Sequence, residues 1–565
     1  MPFLMREAIE ERLRKRITDI ANGFRQNVGI IGASGVGKTS LLRELFQSIS
    51  RDPQLLPVHV QGETIDGRQL MDRWMGAILS SVLLDKMLNI PNSLTSLIRE
   101  ADSLIPQTVQ AVKRIQKFLR QEKKSTAVKE LFGLGATLAR ETGKKVVLMI
   151  DEFQSLEKLQ VPDPFAILGK QIMPDKEVLY IVTSSTQDRA VEIFREKLSL
   201  LFGNFEVLEL SPLTYREMES YLATRMPAHR WSEGLTRFFF RMTDGEPLYV
   251  DLVTQRIENK EVREIPQPVG AAMLLDAFCQ ELFDNRGRIA LLFERRLEQC
   301  ARLGKQGGPY LRALLALALG RHKLIPIAAY IDETVSETQK VLKRIVQEGL
   351  AIKSGSFYHV PDFLFRFWLR EVYLKRHNLF LPEERSLRRH LFDELTKILN
   401  ACEYVHEEDI GLRMEGLLKE FRNDTVEIER KKIQCPQFSE IAFRPLPRSM
   451  VSILARGGRG RWLFQVSPDW IGEAEIEILL HDVKHLRKIS KKILIAPAGI
   501  DQNAKLVAQE AKMRLWDLQY LNTLMDFYDL PKIIVRPQLK DYERKKTDGS
   551  VVGSVAQDVP ALELH

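Results

Sequence analysis

Residues Gly32 to Thr39 read GASGVGKT and fit the pattern GxxxxGK[ST] without interruption. Residues of these types at this spacing suit phosphate. Gly32, Gly35 and Gly37 allow backbone conformations closed to residues with a Cβ, so the N–H groups of the loop, Ala33, Ser34 and Val36 included, can turn inward around a β-phosphate. Lys38 adds a point charge at the β/γ-phosphates and Thr39 a hydroxyl for Mg²⁺. Ser40 follows in the first turn of a helix whose positive dipole end faces the ligand. The expected ligands are ATP and Mg²⁺. The motif needs a strand before it and a helix after it. Val28, Ile30 and Ile31 supply the end of a buried strand, and Leu41, Leu42, Leu45 and Phe46 supply apolar positions at helical spacing.

A second run completes the chemistry. In KKVVLMIDE, from Lys144 to Glu152, the apolar residues Val146 to Ile150 read as a strand buried on both faces, with acids where it emerges. Asp151 is placed to hold Mg²⁺, directly or through water, and Glu152 to orient or deprotonate an attacking water. A third run, EVLYIVTSS, ends in hydroxyl residues able to sense a γ-phosphate. Ser184 is the first choice there, with Thr183 and Ser185 next to it. Arg189 is a candidate sensor or finger arginine.

These residues need a sheet to hold them. Strands near residues 28, 58, 146, 178 and 206, separated by helical stretches, predict an α/β fold with a five-stranded parallel sheet and crossover connections. Ile9, Leu13, Ile17 and Ile20 place a helix ahead of the first strand. A polar, partly helical stretch after about residue 84 runs to about Lys124 and is longer than a minimal connection requires.

GASGVGKTS, VVLMIDEFQSL, the strand ending VTSS, FEVLELSPLTYREMESYL and TDGEPLYV together resemble the archaeal and bacterial ATPases that lie between the STAND signalling ATPases and the origin-recognition AAA+ proteins. The likeness covers about residues 1 to 380. It implies a P-loop NTPase core followed by a helical lid, with a Gly-x-Pro motif of the lid near the nucleotide. Gly245, Glu246 and Pro247 match that motif, and from their residue types alone they form a turn between helices.

Residues 310 to 360 read as a winged helix: YLRALLALALG, a turn at Lys323 to Pro326, a short helix over Ile327 to Ile331, and a third helix over Val335 to Glu348 with Ser336 at its start. Val341, Leu342, Ile345 and Val346 form its buried stripe. Thr338, Gln339, Lys340, Lys343 and Arg344 are expected to face outward, and Lys340, Lys343 and Arg344 are the nucleic-acid candidates. LAIKSGSFYHV reads as a β wing. From about Leu387 the order of helices and strands resembles the PD-(D/E)XK nuclease fold. That resemblance implies an Asp on one hairpin strand and Glu-x-Lys on the next, where two carboxylates bind a metal and the lysine helps activate water. The matching positions read Ser449 and Gln465-Val466-Ser467, so the expected domain is nuclease-like without nuclease chemistry. Glu415 is the one leftover acid.

Composition bounds the rest. The 565 residues, 44% of them hydrophobic, are enough for several cores. The boundaries expected are 1–210 for the ATPase core, 211–305 for the helical lid, 306–385 for the winged helix, 386–540 for the smaller α/β nuclease-like domain and 541–565 for a flexible tail. No apolar run approaches the ~20 residues of a membrane span, and the opening MPFLMREAIEERLRKR turns charged too soon for a secretory signal. Cys279, Cys300, Cys402 and Cys435 lack metal or disulfide spacing, which points to a reduced, cytoplasmic protein. The +8 net charge is localised: residues 301–380 hold 13 Lys/Arg against 6 Asp/Glu, and residues 431–500 hold 12 against 6. Two local surpluses fit a polyanion, so DNA is the expected partner. A protein partner and nucleotide-dependent self-assembly stay open. The expected activity is slow ATP hydrolysis coupled to a switch. The alternatives are an ATP-gated metal-dependent nuclease and a signalling scaffold that binds no nucleic acid.

Overall fold

The computed structural model describes residues 6–535, apart from 63–65, 186, 195–204, 227–230, 262–269, 304–307, 379–382, 405–409, 429–430, 459, 485 and 487. The expected tail, 541–565, lies outside the described residues. Two compact units divide the chain, one of Met1–Pro227 with Gly245–Asp251, the other of Ala228–Asp244 with Leu252–His565.

The first unit is built on five parallel strands, β1 (Asn27–Ile31), β2 (Leu55–Gln61), β3 (Lys145–Asp151), β4 (Val178–Ser184) and β5 (Phe205–Glu209), in the order β2-β3-β4-β1-β5. The five strand positions expected from the apolar runs are all occupied. Parallel neighbours cannot be joined by a tight turn, so helices cross both faces and the inner strands are buried throughout. On one face Leu13, Ile20, Leu41, Leu42 and Leu45 of helices Glu7–Ala21 and Lys38–Ile49 pack against Val28, Ile30, Val147 and Met149. The other face carries the long insertion. Its helices Leu94–Ala101, Pro106–Arg120, Lys124–Phe132 and Leu134–Thr142 bury Leu97, Val109, Val112, Ile115, Val128, Leu131 and Phe132 with Trp74. The stretch that reads as polar therefore forms an amphipathic layer, with its charges on the outside of helices whose inner stripe is apolar.

Helices open the second unit, and helix Leu324–Ile331 begins three residues before the expected start. Pro326 sits in its first turn, where the N–H that proline lacks has no helical acceptor anyway. Helix Val335–Gln347 is capped by Thr334, whose hydroxyl accepts from the Glu337 N–H at 3.2 Å, so the cap is not Ser336. Thr338, expected outside, is fully buried and donates to the Thr334 carbonyl, while Val346 is half-buried. The hairpin β6 (Ile352–Ser354) and β7 (Phe357–His359) follows, turning at Gly355 with φ 59°. Its tip is covered. The Ser356 N–H donates to Thr425 O at 2.8 Å and Ser354 Oγ to Glu427 O at 2.7 Å, which docks the hairpin on β8 (Asp424–Ile428), itself paired with β9 (Lys431–Cys435).

A second five-stranded sheet orders β10 (Phe438–Pro445), β11 (Val451–Gly457), β12 (Gly460–Val466), β13 (Ile489–Ala496) and β14 (Met513–Asp517) consecutively. The first three form an antiparallel meander and the last three are parallel. Helices Ile410–Glu420 and Leu518–Phe527 cover one face through Met414, Leu417, Leu521 and Leu524, and helices Glu473–Lys484 and Gln502–Glu510 cover the other through Leu479, Ala504 and Ala508. Strand β11 begins at Val451, two residues past Ser449, because Arg448 and Ser449 take left-handed φ of 61° and 56° in the preceding turn.

A buried polar network ties the hairpin β6–β7 to helix Leu518–Phe527. His359 Nε2 meets Asp526 Oδ2 at 2.7 Å, Arg366 donates to the other Asp526 oxygen at 2.7 Å, and His322 Nε2 meets Asp529 at 2.6 Å. Arg366 also lies against the His359 ring and donates to Val360 O. Burial pushes the His359 pKa down, although Asp526 pulls against it and Arg366 adds to the fall. Despite burial, their histidine hydrogen bonds and nearby cations hold Asp526 and Asp529 below the usual carboxylate range. A histidine held neutral in the fold loses its contribution as pH falls through the unfolded value of about 6.5, and carboxylates with depressed pKa lose theirs at lower pH again. Acidification from pH 7.5 to 5.5 should therefore lower the melting temperature of the second unit, as read by calorimetry. His359→Gln should flatten that slope.

Candidate functional site

The loop between β1 and helix Lys38–Ile49 is shaped by close approach. Gly35 and Gly37 have φ of 93° and 98°, and a Cβ on Gly32 would lie 2.3 Å from Leu210 O. The Gly32 N–H donates to Ser184 O at 3.1 Å, which fastens the start of the loop, Gly32 through Val36, to the end of β4. Lys38 is nearly enclosed, and its Nζ donates to Gly32 O at 2.8 Å and Ala33 O at 2.7 Å. Burial lowers its pKa, while Glu152, Asp151 and Glu246 oppose the shift. Ser40 follows in the helix, exposed by contrast with Lys38 and Leu41.

Thr39 and Asp151 come together from 112 positions apart in sequence. Thr39 Oγ1 donates to Asp151 Oδ2 at 2.7 Å, and Thr183 Oγ1 donates to Asp151 Oδ1 at 2.5 Å. Asp151 is 7% exposed, and a carboxylate that far from water stands only when donors satisfy it. A hydroxyl beside a carboxylate, with Glu152 and Glu246 in electrostatic reach of one ammonium, forms an oxygen donor set with excess negative charge, which suits a divalent cation such as Mg²⁺. Glu152 lies next to it, with φ 50°, and its N–H donates to Thr183 Oγ1 at 3.1 Å. Its Oε1 stands 3.9 Å from Lys38 Nζ. Its Oε2 accepts from the Ser185 N–H at 2.9 Å, Ser185 Oγ at 2.8 Å and Gln154 Nε2 at 2.6 Å.

The end of β4 and the residue after it thus sort three hydroxyl residues by parity. Thr183 and Ser185 lie on one side and reach the two acids, whereas the side chain of Ser184, the first sequence choice, takes the opposite side of the sheet, where Ser184 is paired with Ile31. Of Gly245, Glu246 and Pro247, Glu246 is the one that reaches the phosphate loop. Gly245, with φ 69°, accepts from the Leu213 N–H at 2.8 Å, and a Cβ built on Gly35 would lie 2.6 Å from Glu246 Oε1. Pro247 is the first residue of the helix that follows.

Arg6 escaped the sequence reading. Its side chain is buried, donates to Val36 O at 3.3 Å and lies in the field of Glu217 and Glu246. A lone arginine ahead of a helix gives no sequence signal. Arg189 is held by Glu157 at 2.9 Å and also by Glu192, contacts that raise its pKa.

Among the nucleic-acid candidates, Lys340 pairs with Glu337 at 2.7 Å and Arg344 with Glu348 at 2.9 Å on their own helix, and Lys343 is exposed beside them. In the C-terminal sheet the residue opposite Gln465 is Ser452, and Arg444 stands opposite Ser452, making a cross-strand row. Ser452 Oγ donates to Asp482 Oδ2 at 2.7 Å, Gln465 Nε2 lies 3.4 Å from the same oxygen, and Arg444 pairs with Asp482. Ser467 lies past the strand and donates to Asp469 O at 3.0 Å, while Glu415 pairs with Lys419 at 2.8 Å. The row holds one carboxylate, already matched by an arginine. His322, His359 and Asp529 bring ligand atoms within 4.8 Å of one another, with Arg366 packed against His359 and His322 Nε2 at 2.6 Å from Asp529.

Residues 2–162 match the family model described as AAA ATPase domain. This part of the chain carries an AAA ATPase domain. No curated protein matches the sequence. The chain is similar to a Walker-type ATPase of Pyrococcus abyssi at 15% identity and a TM-score of 0.42, covering 65% of this chain and 96% of that one. It is also similar to the Aeropyrum pernix ORC1 protein solved in complex with DNA, at 14% identity and a TM-score of 0.36, covering 66% and 94%. The Thermotoga maritima RuvB Holliday junction branch migration motor overlaps at 15% identity and a TM-score of 0.33, covering 67% and 96%. At this degree of overlap the fold rests on the strand registers above. No helix among the described residues is long and apolar enough to cross a membrane.

The sequence reading assigns charge for binding to Lys38 and orientation for reaction to Glu152, and the two assignments can be tested apart. Lys38→Ala should abolish ATP binding, measured by titration calorimetry. Glu152→Gln should keep the affinity and lose about 10²-fold or more of the hydrolysis rate, the range a positioned base supplies. Equal loss of affinity in both variants would contradict the division.

Proposed function

We propose that this protein is an ATP-hydrolysing switch that engages DNA or a protein partner through a winged helix and a catalytically silent nuclease-like domain. The observation that supports it is the convergence of Lys38, Thr39, Asp151 and Glu152 at one end of the parallel sheet. In this reading the loop Gly32–Ser40 cradles the phosphates, Lys38 neutralises them, and Pro247 belongs to the lid that borders the nucleotide. Thr39 and Asp151 would hold Mg²⁺, which supplies charge neutralisation at the β,γ-oxygens. Glu152 accepts the water proton. Thr183 and Ser185, which reach the two acids, join Ser184 as candidates for sensing the γ-phosphate.

For the second unit, Lys340, Lys343 and Arg344 are the DNA candidates. Two features favour a protein partner as the second reading: the cations alternate with Glu337 and Glu348, and the hairpin tip that would flank DNA is engaged by β8. Mixed charge suits a protein surface better than a polyanion. The triple change of Lys340, Lys343 and Arg344 to Ala decides between them. With DNA bound there, the salt dependence of binding should flatten by ~0.9 in log–log slope for each phosphate no longer neutralised. An unchanged slope transfers the helix to the protein reading.

The polar row Arg444, Ser452, Gln465 and Asp482 supports a silent domain, because two-carboxylate metal hydrolysis needs a second acid and a free first one. Purified protein incubated with single- and double-stranded DNA and RNA, in Mg²⁺ or Mn²⁺, should leave every substrate intact with or without ATP. Cleavage that survives Lys38→Ala but not Asp482→Asn would restore the nuclease reading.

A further inference from the structure

The hydrogen bonds around the Glu152 carboxylate are unequally shared between its oxygens. Oε2 takes three donors, the N–H and the hydroxyl of Ser185 and the amide of Gln154. A carboxylate oxygen offers about two good lone-pair directions, so Oε2 has no capacity left for a further proton donor. Oε1 instead faces Lys38 Nζ at 3.9 Å, on the side of the phosphate loop. The clamp has little freedom. Ser185 follows directly on β4, Glu152 is fixed in a left-handed backbone conformation by the Thr183 hydroxyl, and Gln154 Oε1 is buried without a partner among the described residues. The Gln154 amide is thus oriented by Glu152.

We propose that Ser185 and Gln154 are positioning residues for ATP hydrolysis: by saturating Oε2 they present Oε1 as the oxygen that takes the proton of the attacking water. This rests on the ATPase reading of the site. The water oxygen bonds to the γ-phosphorus while the bond to the β,γ-bridging oxygen breaks, and that electron pair leaves with ADP. The water proton passes to Oε1 and then to solvent, giving inorganic phosphate. A carboxylate free to rotate would spend part of its time with a hydrogen-bonded oxygen toward water, and alignment is where much of a base's efficiency lies. A clamp that restrained the acid instead would draw both oxygens away from Lys38, and Oε1 stays beside it.

The test is steady-state ATP hydrolysis by the full chain, with nucleotide affinity measured separately, for Ser185→Ala, Gln154→Leu, the double variant and Ser185→Thr. We expect kcat to fall about tenfold for Ser185→Ala and about a hundredfold for the double variant, part of the ~10²–10⁴-fold a general base supplies, with KM and affinity little changed. Ser185→Thr, which keeps the hydroxyl, should recover most of the loss. A kcat that holds or rises in Ser185→Ala, or a fall matched by weakened affinity, overturns the proposal. Wild-type protein with no hydrolysis above the Lys38→Ala background would remove the ATPase reading itself, an outcome distinct from an active wild type indifferent to Ser185.

Discussion

The Asp151 carboxylate accepts one hydrogen bond from Thr39 and one from Thr183, and the geometry of the first unit follows from that requirement. A strand as apolar as Val146 to Ile150 belongs in the middle of a sheet, and a charge at its end is then carried into a nearly closed site. Leaving that charge without donors would cost several kcal/mol. The neighbours must therefore supply hydroxyls at the same level. Strand β4 provides Thr183 from beside β3, and the first helical turn after β1 provides Thr39. Parallel pairing with even register puts all three chain ends at one edge of the sheet, where the helix dipole and loop amides also point.

The same register explains why the two acids differ. Asp151 stays on the strand and is satisfied by side-chain hydroxyls, whereas Glu152 leaves it in a left-handed turn and swings its carboxylate toward Lys38. Thr183 serves the backbone of one and the carboxylate of the other, so the two acids cannot shift independently. Buried hydrogen-bond chains of this kind hold position at the cost of tolerance to substitution.

In the second unit polar groups are spent on joining elements. The hairpin β6–β7 is tied on one side to β8 by serine and backbone hydrogen bonds and on the other to Asp526 through His359, with Arg366 reaching the same acid. The row Arg444, Ser452 and Gln465 is closed by Asp482 from the covering helix, which links the edge strand β10 to the interior. Its single charge is balanced by an arginine on the neighbouring strand. The four cysteines are likewise interior: all are free and buried, and burial pushes the Cys279 and Cys435 thiols up to about 12.

Local patterns carried the first unit by themselves. An uninterrupted phosphate loop between an apolar run and a helix, and an apolar run ending in two acids, identify the strands, their parallel class and the residues Lys38, Thr39, Asp151 and Glu152, because burial on both faces and backbone freedom at glycine are properties of short segments. Which strand lies beside which is a long-range matter, and the roles that depended on it were not legible. Which of Thr183, Ser184 and Ser185 shares a face of the sheet with the Asp151 carboxylate depended on the register of β3 against β4. Finding Arg6 at the loop required knowing where the first helix begins in space. Thr338 was expected outside on helix Val335–Gln347 although it falls at i, i+3 and i+4 spacing with Val341 and Leu342 on the buried stripe, and Ser449 was placed on a strand because a sequence cannot show two left-handed residues delaying it. Segment composition fixes what each element can do, and only the tertiary packing, through register and parity, decides which of its side chains meet.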